Sequence, residues 1–208
     1  MLVQNSDSTN FRKDLVDQKS DAIHTSQQIL DIAQRLVQTR GFNAFSYADI
    51  ADELSVSKAS LHYHFASKAK LGVRLIERYE DGIDRALGEI DLADGGAAAK
   101  LRRYVGIYAK VLADERICLC GMLAAEFETL PKAMQTALDG YFVLNERWLV
   151  SVLEEGSSSG TLHFKGSASE AAQYIVGALE GAMMMARSRG GMARFDAATR
   201  RLLSDFGI

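Results

Sequence analysis

Proline occurs once in 208 residues, at Pro131, so almost nothing in the chain interrupts a helix. Cysteine occurs twice, at Cys118 and Cys120, a single residue apart. That spacing is a poor geometry for a disulfide and supplies too few ligands for structural zinc, so both are expected as reduced thiols. No run approaches the roughly 20 apolar residues needed to span a bilayer. The opening residues MLVQNSDSTNFRKDLVDQKSD contain no apolar signal-peptide core, so a cytoplasmic protein with no membrane partner is expected. A formal net charge of -3 argues against a chain that coats nucleic acid by charge alone, and leaves room for a local basic face.

What the chain has is apolar residues, at 48%, with charge at 25%. With one proline among them, this composition predicts an all-α fold. The length fits one compact unit, or a small module on a larger one, with enough chain for a buried core.

Residues 1–22 are polar without sustained periodicity and read as a disordered polar tail. From Thr25, the spacing of Ile29, Ala33, Leu36 and Val37 predicts a helix over 25–40, stopped by Gly41 and covered at its end by Phe42 and Phe45. Ser46 opens a capping box, SYAD, for a short helix that buries Ile50, Ala51 and Leu54. Ser57 caps a third helix over SKASLHYHF after the turn Leu54, Ser55, Val56. Two short helices on a tight turn, braced by a longer one, make a helix-turn-helix. A long helix follows over 68–90 with Leu71, Leu75, Ile76, Tyr79, Ile83, Leu87 and Ile90 on one side.

DLADGGAAAK breaks the chain, and beyond it helices are predicted near 97–113, 118–129, 131–156, 168–188 and 196–206. Pro131 stands at a permitted first-turn position, and SASE at 167–170 reads as another capping box. The expected organisation is about nine helices: a tail at 1–22, a helix-turn-helix domain at 23–67 and a helical domain at 68–208.

Residues 29–71, ILDIAQRLVQTRGFNAFSYADIADELSVSKASLHYHFASKAKL, resemble the DNA-binding domain of the TetR family of bacterial transcriptional regulators. The resemblance covers the N-terminal module without a gap, and it implies a C-terminal half that senses a ligand and dimerises. A recognition helix enters a major groove about 12 Å wide with its early residues toward base edges. Lys58, Ala59, Ser60 and His62 are then candidates for bases or adjacent phosphates. Lys reaches guanine O6 or N7, Ser pairs with several bases and Ala touches a thymine methyl. Ser46, Tyr47, Tyr63, His64 and Lys68 are expected to hold phosphates. Leu61 and Phe65 are expected to anchor the helix in the core.

Two positions depart from the family pattern. His62 stands where the family usually has Tyr, and Ser55 stands at the turn where Gly is usual. A serine there accepts a modest cost for a left-handed backbone. Charge alone does not announce the module: residues 25–80 hold seven Lys/Arg (Arg35, Arg40, Lys58, Lys68, Lys70, Arg74, Arg78) against six Asp/Glu (Asp31, Asp49, Asp52, Glu53, Glu77, Glu80). His62 and His64 are two apart on a helix and point in different directions, with no third ligand nearby in sequence, so no metal or other cofactor is expected.

In the remainder, EAAQYIVGALEGAMMMAR places Gly177, Ala178, Gly181 and Ala182 beside Met185. Small residues admit a close second helix and Met fills irregular gaps, which suits a homodimer interface and equally an ordinary buried helix. Tyr104, Tyr108, Met122, Phe127, Trp148 and Tyr174 are candidates for an apolar effector pocket, each being also a plausible core residue. RICLCGMLAAEFETLPKAM, at 116–134, resembles a segment in a subgroup of these regulators that responds to electrophiles or oxidants. That resemblance sets Cys118 at the position of the reactive cysteine. A sensing thiol needs exposure and thiolate character, and a helix start and Arg116 lie close in sequence; a small buried hydrophobe is the alternative.

The expected function is a DNA-binding repressor, not an enzyme, released from a palindromic double-stranded operator by a small-molecule effector or by thiol modification. A helical binding protein without a regulatory role is the alternative. GSSSG at 156–160 formally matches a hydrolase nucleophile elbow, but that motif needs a strand before its serine, and here a helix precedes it.

Overall fold

The first N–H groups of a helix have no carbonyl partner within it, and this chain repeatedly meets that need with serine. In the computed structural model, which describes the backbone of residues 7–208 and the side chains of 23–208, the described residues form nine α-helices and no strand. Helices α1 (Asp7–Arg40), α2 (Tyr47–Leu54) and α3 (Lys58–His64) make the N-terminal module. Ser46 Oγ accepts from the Ala48 N–H at 3.2 Å while the Ser46 N–H donates to Asp49 Oδ2 at 2.7 Å, which is the capping box expected of SYAD. Ser57 accepts from the Ser60 N–H and Ser67 from the Lys70 N–H, each at 3.2 Å.

The turn between α2 and α3 rests on Ser55, whose φ of 55° and ψ of 40° are left-handed. Its N–H and that of Val56 then return to the Asp52 and Ala51 carbonyls, pairing two of the last carbonyls of α2.

The helix expected over 25–40 is longer than that. Of the expected tail, residues 1–6 lie outside the described residues, and from Asp7 the backbone is already helical. No glycine or proline stands between Asp7 and Arg40 to interrupt it.

Helices α4 (Lys68–Leu92), α5 (Gly96–Ala113), α6 (Leu119–Ala125), α7 (Lys132–Ser158), α8 (Ala168–Ser188) and α9 (Gly191–Asp205) form the rest, with a 3₁₀ turn at Phe127–Thr129. The helix expected over 118–129 is therefore divided at Glu126, and Pro131 stands at the N-cap of α7. Helix α9 begins before the expected residue 196, because Gly190 (φ 91°) and Gly191 (φ 54°) turn the chain directly into a new helix. Most packing in this half joins α8 to α7 and α9, and α7 to α4.

Both halves share one core. Ile29, Leu36, Ile50 and Leu61 of the N-terminal module belong to the same buried cluster as Leu101, Leu149 and Leu179. Gly156, Ser157 and Ser158 are the last residues of α7 and Ser159 is its C-cap, so a helix and not a strand runs into GSSSG. Among the described residues, no helix is long and apolar enough to cross a membrane.

Candidate functional site

Helix α3 divides cleanly by face. Leu61 is fully buried and Phe65 nearly so, while Lys58, Ala59 and His62 are exposed and Tyr63 is 82% exposed. Ser60 and His64 are partly covered, and Ser46 is exposed at the start of α2. The apolar residues thus hold α3 against α1 and α2 and leave a polar, partly aromatic face free.

Two expected phosphate contacts are otherwise engaged. The Tyr47 hydroxyl is buried and donates to the Phe65 carbonyl at 2.8 Å, and burial pushes its pKa up to about 12. The Tyr47 ring supports His62, with centroids 4.8 Å apart. Lys68 Nζ donates to the carbonyls of Phe42, at 2.5 Å, and Phe45. It also lies over both rings, 4.6 and 4.3 Å from their centroids. Partial burial lowers its pKa. Lys68 therefore braces the α1–α2 loop, whose carbonyls have no helical partner, and sequence position alone cannot distinguish that role from a phosphate contact.

The same loop is held from the other half of the molecule. Glu126, at the end of α6, accepts from the Phe42 N–H at 2.7 Å and the Asn43 N–H at 3.2 Å. Asn43 Nδ2 donates to Thr129 Oγ1 at 2.8 Å.

A partly open cavity of about 430 Å³ lies between α1, α4, α5 and α7 and is closed by Met183 of α8. Ile83, Ala86, Ile107 and Val111 supply apolar wall, and Tyr79, Tyr108, Tyr141 and Cys118 supply polar tips. Gln34 and Arg78 border it where α1 meets α4. Arg78 donates to Asp31 at 2.7 Å and to Gln34 at 2.6 Å, tying α4 to α1 at the cavity edge. The size and the mixture of apolar wall with a few polar groups suit a small organic molecule.

Of the expected pocket residues, Tyr108 and Cys118 line this cavity. Tyr104 lies behind Tyr108, with its hydroxyl 3.3 Å from that of Tyr108 and donating to Asn145 Oδ1 at 3.0 Å. Trp148 stacks on Tyr104 and donates to Asp91 at 2.9 Å, away from the cavity. Phe127 is 40% exposed on the 3₁₀ turn, and Met122 is partly covered without lining the cavity. Tyr174 faces outward beside α9, its hydroxyl donating to Asp205 at 3.3 Å. An apolar stripe identifies the buried side of a helix, but it does not reveal which buried residue borders a void.

Cys118 is buried, as in the alternative reading, and lacks the exposure that a sensing thiol needs. It is 2% exposed, and burial pushes its pKa well above the usual thiol range, with the Glu180 carboxyl adding to the shift. Its sulfur lies 3.8 Å from the Tyr141 hydroxyl. Both Glu180 oxygens are buried without a hydrogen-bond partner among the described residues, and burial pushes its pKa up to about 7. Sequence reasoning missed Glu180, Tyr79 and Tyr141 as site residues. For Glu180 there was a signal, a lone acid in the apolar run IVGALEGAMMM.

On α8, Tyr174, Gly177, Gly181 and Met185 are exposed along one side, with Ala178 and Ala182 partly covered between them. Among the described residues, a methyl group added at Gly177 or Gly181 would meet nothing within 4 Å.

Residues 29–75 match the family model for bacterial regulatory proteins of the tetR family, and residues 97–202 match that for the tetracyclin repressor-like C-terminal domain. The chain belongs to the TetR family. Among curated relatives of this TetR regulator is the transcriptional regulator AcuR of Cereibacter sphaeroides, 27% identical over 172 residues, covering 80% of this chain and 78% of that one. Another is the HTH-type transcriptional repressor NemR of Escherichia coli, 27% identical over 173 residues, covering 78% and 84%. A TetR-family regulator from Agrobacterium tumefaciens superposes with a TM-score of 0.86 at 32% identity, covering 89% of this chain and 98% of that one. The protein is thus a TetR-type transcriptional regulator, with α2 and α3 as its DNA-binding helix-turn-helix.

Proposed function

We propose that this TetR regulator is a homodimeric repressor, released from a palindromic operator when a small molecule occupies the cavity or reacts with Cys118. The observation that carries the DNA-binding part is the division of α3, with Leu61 and Phe65 buried and Lys58, Ala59, His62 and Tyr63 free. On this reading Lys58, Ala59, Ser60 and His62 meet base edges, and Ser46, Tyr63 and His64 hold phosphates.

The exposed small-residue stripe of α8 supports an isologous dimer, in which the same patch of each copy meets its counterpart. Two recognition helices related by a two-fold axis read half-sites about 34–36 Å apart, so the operator mirrors the protein symmetry. Release requires an effector that binds one arrangement of the dimer better than the other. Arg78 supports a route, because it borders the cavity and holds α4 to α1 through Asp31 and Gln34. The thiol branch is favoured by one observation, that Cys118 lines the cavity despite its low exposure.

The test is fluorescence anisotropy with DNA from immediately upstream of the protein's own gene, backed by selection from random DNA. It is run under reducing conditions with excess nonspecific competitor and repeated after thiol modification. Competitor-resistant binding to a palindrome, weakened by Lys58→Ala and Ser60→Ala with altered base preference, is expected. Binding that competitor abolishes on every selected sequence would overturn the reading. Equal release of wild type and Cys118→Ser by a thiol reagent would leave reversible cavity binding, or Cys120, as the signal.

A further inference from the structure

We propose that Glu180 is the proton acceptor for Cys118, making the pair a reactive site for electron-poor alkenes that enter the cavity. This rests on the thiol branch of the proposed function and assigns the residue that makes it chemically possible.

The arrangement is layered. Cys118 lines the cavity, whereas Glu180 does not; its carboxyl lies behind, against α6. There it presses on Gly121, where an added Cβ would come within 2.0 Å of Glu180 Oε2. A side chain at Gly121, three residues after Cys118, would displace the carboxyl from this position. The charge of that carboxyl acts on the Cys118 thiol, and among the described residues neither carboxyl oxygen has a hydrogen-bond partner. An unpaired buried acid is costly, so its retention beside a thiol that borders a void calls for a role.

A buried thiol cannot readily lose its proton to solvent, because the anion would have to form in an apolar setting. Glu180 changes that balance. Once the carboxyl is ionised, the site already holds one negative charge. Passing the Cys118 proton to Glu180 then moves that charge within the pair without adding a second. The surrounding groups are neutral phenols and a thiol: Tyr79 of α4, Tyr104 and Tyr108 of α5, Cys120 of α6 and Tyr141 of α7, with Glu80 the further acid acting on Cys120.

In the reaction the S–H bond breaks as Glu180 takes the proton and sulfur bonds the β-carbon of an alkene conjugated to a carbonyl. The alkene π electrons move to the carbonyl as an enolate. The enolate takes a proton at the α-carbon from water entering the partly open cavity, and Glu180 gives its proton up to solvent, leaving a thioether and a regenerated carboxylate. No oxidant, reductant or further reactant is needed.

The experiment follows alkylation of the full-length protein by N-ethylmaleimide, without DNA, by intact mass and peptide mapping from pH 6 to 8.5. In wild type the Cys118 rate is expected to rise with a midpoint near 7, following Glu180. In Glu180→Gln, checked for folding by its thermal melt, the rate at pH 8 is expected to fall at least about tenfold, with the midpoint near 7 lost. An equal or faster rate in Glu180→Gln would overturn the proposal. It would mean that the carboxyl only opposes thiolate formation, and would leave Cys118 sensing intact. If Glu180→Gln does not fold, the wild-type profile decides, and a rate still climbing tenfold per pH unit at 8.5 would overturn the assignment. A Cys118 that stays unmodified in the folded protein but reacts in urea would overturn this proposal and the thiol branch together, and would leave DNA binding untouched.

Discussion

Gln38 of α1 is joined twice to Ile117, the residue before Cys118. Its Nε2 donates to the Ile117 carbonyl at 3.1 Å, and the Ile117 N–H donates to the Gln38 carbonyl at 3.2 Å. Gln38 is only 2% exposed, so this is a dry link between the helix that braces the recognition module and the wall of the cavity. Gln38→Leu should lower stability by about 1–2 kcal/mol, because it strands a buried carbonyl. Chemical denaturation checks the cost. If the link also transmits the signal, the variant should still bind operator DNA but need more effector for half-release in an anisotropy titration.

Lys68 gives a prediction opposite to the usual reading of a lysine beside a recognition helix. Its ammonium is directed at the Phe42 and Phe45 carbonyls and rings. Lys68→Met should therefore destabilise the fold by about 2 kcal/mol. The slope of log Kd against log salt should stay as in wild type, whereas loss of a phosphate contact would reduce it by about 1. Paired melts and salt titrations separate the two.

Ser55 occupies a left-handed conformation that a side chain disfavours. Ser55→Gly should stabilise the protein by about 1 kcal/mol, less the greater freedom glycine has in the unfolded chain. DNA affinity should be unchanged, since Ser55 supplies no contact in the proposed interface. A lowered melting temperature would show that the serine has a role the turn geometry does not reveal.

Glu180 makes stability depend on pH with a definite sign. Its pKa rises from 4.5 to about 7 on folding, so the folded chain holds a proton that the unfolded chain has released between these values. Stability from this group is full below about 4.5, falls as pH rises, and is lost above about 7. Glu180→Gln should therefore match wild type near pH 4.5 and exceed it at pH 8, by roughly 3 kcal/mol on the linkage scale. Urea melts at the two pH values test the crossover.

Local chemistry accounts for what the sequence made legible. Ser46, Ser57, Ser67 and Ser167 cap four helices because each neighbouring N–H lies within reach of the same short side chain. The free face of α3 follows from the positions of Leu61 and Phe65. The sensing half was read less well, since a cavity is bounded by residues from helices distant in sequence. Tyr108 and Cys118 border it, while Trp148 and Tyr174, of similar chemistry, do not. That Lys68 and Tyr47 turn to backbone carbonyls was not legible for a related reason. Whether a polar tip turns outward or back to a loop carbonyl depends on backbone groups that no periodicity records.

Helix α6 serves two neighbours at once. Cys118 at its start borders the cavity, and Glu126, immediately after its last turn, grips the loop that leads into α2. Its seven residues span about 10 Å, and each turns the chain by about 100°. Inserting or deleting one residue would swing the carboxylate away from the Phe42 and Asn43 amides even with Cys118 still in place. The length of this segment is therefore a phase requirement, tolerant of altered side chains but not of altered spacing.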